Sequence, residues 1–259
     1  MEFIDTHCHI HSTDYPLAVS EVIESARLAG VNKLLCVGTS LDDSQIAVEF
    51  AQKHKNIWSS IGIHPHESKD FIIDDGVNSE KYNDFKSLVK RPKVVAVGEC
   101  GLDYFYSHSP KEAQAALLKL QIELALGHNL PLIFHVRDAY EDFWPIFDSY
   151  KGIQGVIHSF SASEKELAEI LKRRLYVGLN GIMTFSKNQA QLEAARVLPL
   201  NRLVLETDSP YLTPVPYRGR INEPKNVRIT AEFLANLRKE RIDQLAAAST
   251  QNAQKLFGI

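Results

Sequence analysis

The stretch Phe3-Ile4-Asp5-Thr6-His7-Cys8-His9 is a short apolar run that closes on two histidines, spaced i and i+2. In an extended strand such residues face one side, so both imidazoles point to one place. The same plan recurs down the chain. Strands are expected at Phe3–His9, Lys33–Val37, Ile57–His64, Val94–Glu99, Pro131–His135, Gly155–His158, Leu175–Leu179 and Arg202–Asp208. Between them, amphipathic spacing predicts helices near Leu17–Ala29, Asp43–His54, Glu80–Lys90, Pro110–His128, Ala139–Tyr150, Glu164–Arg173 and Asn188–Val197, with a final pair near Asn226–Arg238 and Ile242–Leu256.

Strands alternating with helices imply parallel βαβ units with helices on the outside. Eight of them predict an α/β protein of the (β/α)8 TIM-barrel class. The 259 residues match the roughly 250 typical of that fold and are expected to form one domain, 1–259. No G-x-G-x-x-G follows the first strand, which weakens a dinucleotide-binding reading; no organic cofactor is expected. Two segments, Glu67–Ser79 and Pro210–Glu223, exceed ordinary loop length and follow strands. Both are expected at the carboxyl end of the barrel, where active sites form.

Composition narrows the function. A formal charge of −3 argues against a protein that coats nucleic acid by neutralising phosphates. A phosphoester hydrolase remains open, because bound metal supplies positive charge locally. Cys8, Cys36 and Cys100 sit in or beside apolar runs and are expected as free, buried thiols of a cytoplasmic protein. No stretch approaches the ~18 apolar residues of a membrane span, and a monomer is expected.

The histidines decide the chemistry. Glu99, His135, His158 and Asp208 each close a different expected strand, as His7 and His9 close the first. A closed barrel brings such strand tips together. Any one of them alone reads as a hydrogen-bonded structural residue or a helix cap. What that reading handles poorly is the coincidence of ligand types at one end of five strands, since buried charges there are costly without partners. Four imidazoles and two carboxylates suit zinc, magnesium, manganese or a similar divalent ion. Six ligands exceed what one catalytic ion uses, and two adjacent ions bridged by Glu99 fit the count better.

At these same positions the chain resembles the TatD family of metal-dependent deoxyribonucleases, within the amidohydrolase-like barrel superfamily. The resemblance rests on Asp5-Thr-His-Cys-His9, Gly62-Ile-His-Pro-His66, Gly98-Glu-Cys-Gly-Leu-Asp-Tyr104, His135-Val-Arg-Asp138, His158-Ser-Phe-Ser161, Leu205-Glu-Thr-Asp-Ser-Pro-Tyr211 and Tyr217-Arg-Gly-Arg-Ile-Asn-Glu-Pro224. It implies the same six ligands, a place for His64 beside the metals toward the substrate phosphate, and 3′-5′ exonuclease action on single-stranded DNA. Ala162, Asn180 and Arg220 stand where relatives often carry Gly, Ser and Lys. None of these removes a ligand.

Asp208, with Glu99, is the expected catalytic carboxylate, orienting a metal-activated water and accepting its proton. Glu206 shares a strand face with Asp208 and is expected either to support the ligands or to form a structural ion pair. Arg137, two residues beyond His135, is a candidate phosphate contact, with an ion pair to a nearby carboxylate as the alternative. Tyr104, with Phe105 and Tyr106, is a candidate for stacking an unpaired base, weighed against plain loop packing. Arg218, and more weakly Lys187 and Arg220, fall where this barrel commonly binds phosphate. His54 and His128 suit helix C-termini; His11, His66 and His108 are given no role. Two other functions are weighed: a barrel hydrolase using the same ions on an ester or amide such as D-aminoacyl-tRNA, and nucleic-acid binding without catalysis, which the negative formal charge counts against.

Overall fold

Every residue of the first strand is buried, as a parallel sheet covered by helices requires. The computed structural model of the chain describes residues 1–73, 76–106 and 108–259. Asp74 and Asp75, inside the long segment expected at Glu67–Ser79, lie outside the described residues.

Strands and helices alternate as β1 (Phe3–Cys8), α1 (Val19–Leu28), β2 (Val31–Val37), α2 (Leu41–Lys53), β3 (Ile57–Ile61), α3 (Ser79–Ser87), β4 (Val94–Asp103), α4 (Lys111–Gly127), β5 (Leu132–Arg137), α5 (Tyr140–Asp148), β6 (Gly155–Ile157), α6 (Glu164–Lys172), β7 (Tyr176–Leu179), α7 (Gln189–Val197), β8 (Leu203–Leu205), α8 (Val227–Arg238) and α9 (Ile242–Phe257). The eight strands follow chain order in the sheet, the (β/α)8 class expected from the sequence. An antiparallel pair, Ile72–Ile73 with Gly76–Val77, occupies part of the first long segment.

Helix starts follow local chemistry. Ser40 caps α2 by accepting the Asp43 N–H, with Asp42 and Asp43 in the first turn. Ser163 and Glu166 form a reciprocal capping box at α6. Such caps contribute about 1 kcal/mol each and fix where a helix leaves its loop.

The chain divides into two compact units, Met1–Cys36 with Ile157–Ile259, and Val37–Val156. In the first, β1 runs parallel to β2, with Phe3 opposite Val31 and Cys8 opposite Cys36. Strand β8 runs parallel to β7. At the end of β1 Cys8 bridges to Ser209, beyond the end of β8, while the Asp208 N–H donates to the His7 carbonyl at 2.8 Å. The first strand of the sheet therefore meets the chain leaving the last. Leu245, Ala246 and Ala253 of α9 are buried in this unit.

In the second unit β3 pairs with β4, and β4 with β5, all parallel. Phe134 of β5 packs against Phe143 and Phe147 of α5, ring centroids 5.1 and 5.9 Å away. Each such buried ring contributes about 1.5–3 kcal/mol relative to exposure.

Three strands depart from their expected bounds by three residues or more, and the others by one or two, β5 running on past His135 to Arg137. β3 stops at Ile61, short of His64. β8 stops at Leu205, and the chain then turns through Asp208 at φ 59°. β4 runs on past Glu99 to Asp103, because the ladder to β5 continues from Cys100–Phe134 to Asp103–Arg137. That continuation depends on Gly101, where a Cβ would lie 1.8 Å from the His135 carbonyl oxygen.

Candidate metal centre

The first unit brings His7, His9, His158 and Asp208 together. His7 lies in β1 and His9 just beyond its end. Their Nε2 atoms are 3.2 Å apart, and Asp208 Oδ1 lies 3.6 Å from one and 3.4 Å from the other. The His158 ring stacks on His7 with centroids 4.0 Å apart. His7, His9 and Asp208 each offer one ligand atom in a common space.

Asp208 takes a left-handed backbone, which Asp tolerates better than most side chains. Burial opposes its charge, but the His9 hydrogen bond and the imidazoles of His7 and His158 outweigh it, holding the carboxyl below its usual range. Asp208 is therefore an ionised carboxylate facing two nitrogens, a donor set that fits a divalent cation.

The surroundings hold this group still. Asp5 Oδ1 accepts the N–H groups of His7 and Thr207, and its Oδ2 accepts the Thr207 hydroxyl at 2.5 Å. Burial pushes the Asp5 carboxyl well above its ordinary value. Asn222, fully buried, donates through its side-chain nitrogen to the Thr207 and Tyr211 carbonyls. Its side-chain oxygen accepts from the Glu223 N–H and the Asn226 amide. Glu206 Oε1 accepts the Ser159 N–H at 2.5 Å and lies 3.7 Å from His158 Nδ1. Room for that carboxylate exists because residue 178 is glycine, where a Cβ would stand 2.2 Å from Glu206 Oε2. Of the two expected roles for Glu206, this contact favours support of His158.

The second unit brings Glu99, His135 and His64 together, again with ligand atoms converging. His135 Nδ1 is 2.7 Å from Glu99 Oε1, and His64 Nε2 is 3.5 Å from the same oxygen. His64 Nδ1 accepts the His66 N–H, which leaves Nε2 for the Glu99 side. The other nitrogen of His135 is 2.9 Å from Asp103 Oδ2.

A neutral imidazole carries one N–H, yet both His135 nitrogens face carboxylates. With the His135 proton on Nε2 toward Asp103, Nδ1 and the Glu99 carboxylate would be donors able to hold a divalent cation, the carboxylate–histidine–metal arrangement typical of metal sites. The residues present fit a divalent ion on this ground.

Asp103 was not among the residues selected from the sequence. It is buried, its Oδ2 also lies 3.2 Å from His66 Nε2, and its Oδ1 accepts the N–H groups of Phe105 and Tyr106. Burial works against its charge, but the His135 hydrogen bond, the Tyr106 amide and the two imidazoles hold its carboxyl well below the usual range. The signal was present in Glu99-Cys100-Gly101-Leu102-Asp103, where period two puts both carboxylates on one face of an extended strand.

The expected substrate contacts are variously engaged. Arg137 lies over the rings of Phe105 and Tyr106, 3.9 and 4.9 Å from their centroids. The Tyr104 hydroxyl donates to Asp142, and the Lys111 ammonium covers its ring. Arg218 stacks on Phe185 and donates to the Thr213 carbonyl. Arg220 lies near the Tyr217 ring, and Lys187 is exposed. His54 and His128 terminate α2 and α4, as their spacing predicts. The three cysteines are free and buried, and no helix is long and apolar enough to cross a membrane among the described residues.

Comparison with known proteins places this geometry in a lineage. The model of the TatD related DNase family matches residues 4–258. The chain is 36% identical over 257 residues to the metal-dependent hydrolase YabD of Bacillus subtilis, covering 98% of each. It is also 36% identical over 262 residues to the 3′-5′ ssDNA/RNA exonuclease TatD of Citrobacter rodentium, covering 98% of this chain and 97% of that one. Among solved structures, the TatD homologue YjjV of Escherichia coli K12 superimposes with a TM-score of 0.89 at 27% identity, over 99% of this chain and 98% of its own.

Proposed function

The chain belongs to the TatD related DNase family of metal-dependent hydrolases, and on that basis we propose that it shortens single-stranded DNA from the 3′ end by hydrolysing phosphodiesters. In this reading it is a monomeric, single-domain cytoplasmic enzyme over residues 1–259. Two divalent ions, of zinc, magnesium or manganese, are held by His7, His9, Glu99, His135, His158 and Asp208. The observation that carries it is the pairing of imidazole nitrogens with carboxylate oxygens, Asp208 against His7 and His9, and Glu99 against His135. The name of the Citrobacter relative supports the polarity and the single-stranded substrate.

Bound there, a divalent ion supplies Lewis-acid activation of water near neutral pH and offsets charge on the phosphate oxygens. The chain's own groups do the rest. Asp208, ionised and fixed by its backbone bond to His7, orients the attacking water and accepts its proton. Asp103 holds the His135 proton on Nε2, keeping Nδ1 available as a ligand. Glu206 orients His158. His64, with Nε2 directed to the Glu99 side, contacts the phosphate, and Arg137 neutralises the strand beyond it.

The test is cleavage of 3′-labelled and 5′-labelled single-stranded oligonucleotides by metal-stripped protein, with each ion restored separately and His135→Ala as control. Ion-dependent laddering that disappears in the variant is the expected result, and the two labels report polarity. Stoichiometric metal uptake without cleavage of either oligonucleotide would overturn the DNA reading and point to an ester or amide such as D-aminoacyl-tRNA.

A further inference from the structure

Phe105 and Tyr106 are large aromatic side chains left 55% and 42% exposed just beyond the end of β4. Exposed rings at the end of a strand need a reason, and here the backbone beneath them is tied down. Both N–H groups donate to Asp103 Oδ1 at 3.0 Å, and the other oxygen of that buried carboxylate is 2.9 Å from His135 Nε2. One side chain thus sets the offset between the two rings and an expected metal ligand. The rings meet at 84° with centroids 4.8 Å apart, a floor and a wall. Arg137 lies 3.9 Å from the Phe105 centroid, adding a cation to a π surface. Beside the corner opens a cleft of about 350 Å3, lined in part by Tyr106, Tyr104 and Lys111.

A rigid, exposed aromatic corner with cations around it suits a flat, electron-rich ring joined to an anionic backbone. We propose that Phe105 and Tyr106 stack an unpaired nucleobase of the strand being cut, at a distance from His135 that Asp103 fixes. The inference rests on the DNA reading above and adds the feature that selects the strand. A base inside a duplex has both faces covered by its neighbours, and a terminal one is held in its pair, so an unpaired strand is what offers a free base to the corner. Stacking is also blind to base identity, since every base has a π face, so cleavage proceeds without sequence preference.

The experiment compares kcat/KM on a single-stranded thymidine oligonucleotide with that on an abasic tetrahydrofuran phosphodiester chain of equal length. Wild-type protein is expected to prefer the intact strand by about tenfold or more, the factor that one stacked base supplies. The Phe105→Ala/Tyr106→Ala double variant should bring that ratio within about twofold of unity, and Phe105→Tyr should keep it. Independently, wild-type protein in chelator should quench 2-aminopurine fluorescence in a single-stranded oligonucleotide, and the double variant should not. A double variant that retains both the preference and the quenching overturns the proposal. So does wild-type protein that cuts both chains equally, which leaves the nuclease reading standing. Wild-type protein that cuts neither chain with any ion overturns the DNA reading itself, and this inference falls with it.

Discussion

The imidazole rings of His7 and His158 lie face to face, their centroids 4.0 Å apart and their planes 16° from parallel. Two imidazolium ions stacked this closely would repel, whereas two neutral rings pack well. Neutral imidazole is also the form that ligates metal. Divalent-ion affinity, measured by titration calorimetry, is expected to fall as the pH drops from 8 to 5. Repeating the titration in buffers of different ionisation enthalpy should show protons released on binding. Affinity independent of pH over that range would exclude these histidines as ligands.

Asp208 combines a left-handed backbone, a lowered carboxyl pKa and contacts to two imidazoles. Asparagine keeps its shape and removes its charge. Turnover by Asp208→Asn should therefore fall by about 100-fold or more, the range general-base removal produces, while circular dichroism stays that of the wild type. Near-normal turnover in the folded variant would show that the proton goes elsewhere.

Asp103 predicts both a binding loss and a pH signature. In Asp103→Asn the His135 tautomer loses its carboxylate partner, and metal affinity should drop about 10–100-fold. The folded carboxyl titrates below its ordinary value, so ionised Asp103 contributes stability that is fully present above the unfolded value near 3.9 and is lost as the pH falls through the folded one. Denaturant unfolding of the metal-free proteins should show wild type more stable than the variant by a constant margin from pH 7 to 5. The margin should then shrink below about pH 4. A margin that is unchanged at pH 3 would mean the carboxylate contributes no such linkage.

Gly101 is required by contact as well as conformation, with φ 153° and a Cβ position 1.8 Å from the His135 carbonyl oxygen. Gly101→Ala must part β4 from β5 at the residue that carries His135. A loss of at least about 3 kcal/mol is expected, at the upper end for a single substitution, read as a lowered melting temperature and reduced metal content in whatever protein remains soluble. Wild-type melting would show that the strands part without cost.

Much of this was legible in the chain because the signals are periodic. Alternating apolar runs located all eight strands, and amphipathic spacing placed the starts of α2 and α6, expected at Asp43 and Glu164, within two residues of Leu41 and Glu164. The spacing of His7 and His9 announced a shared target, and the two nitrogens are indeed 3.2 Å apart. Glu99 misled because it looks like a strand end: the β-branched run stops there and Gly101 follows. Only the ladder to β5 carries β4 four residues further and delivers Asp103. The partners of Arg137 and Arg218 were illegible for another reason. Both guanidinium groups settled on aromatic faces, Phe105 and Phe185, and no sequence spacing encodes which ring a long flexible side chain will meet.

The amide of Asn222 bears on how the protein ages. Its nitrogen gives both hydrogens to the Thr207 and Tyr211 carbonyls, and its oxygen receives two N–H groups. Aspartate has the same outline and no hydrogen to give, so slow deamidation at this position would set a carboxylate against two carbonyl oxygens on either side of Asp208. Such a molecule would keep its histidines yet lose the latch on the loop that carries Asp208, and the amide concerned is fully buried.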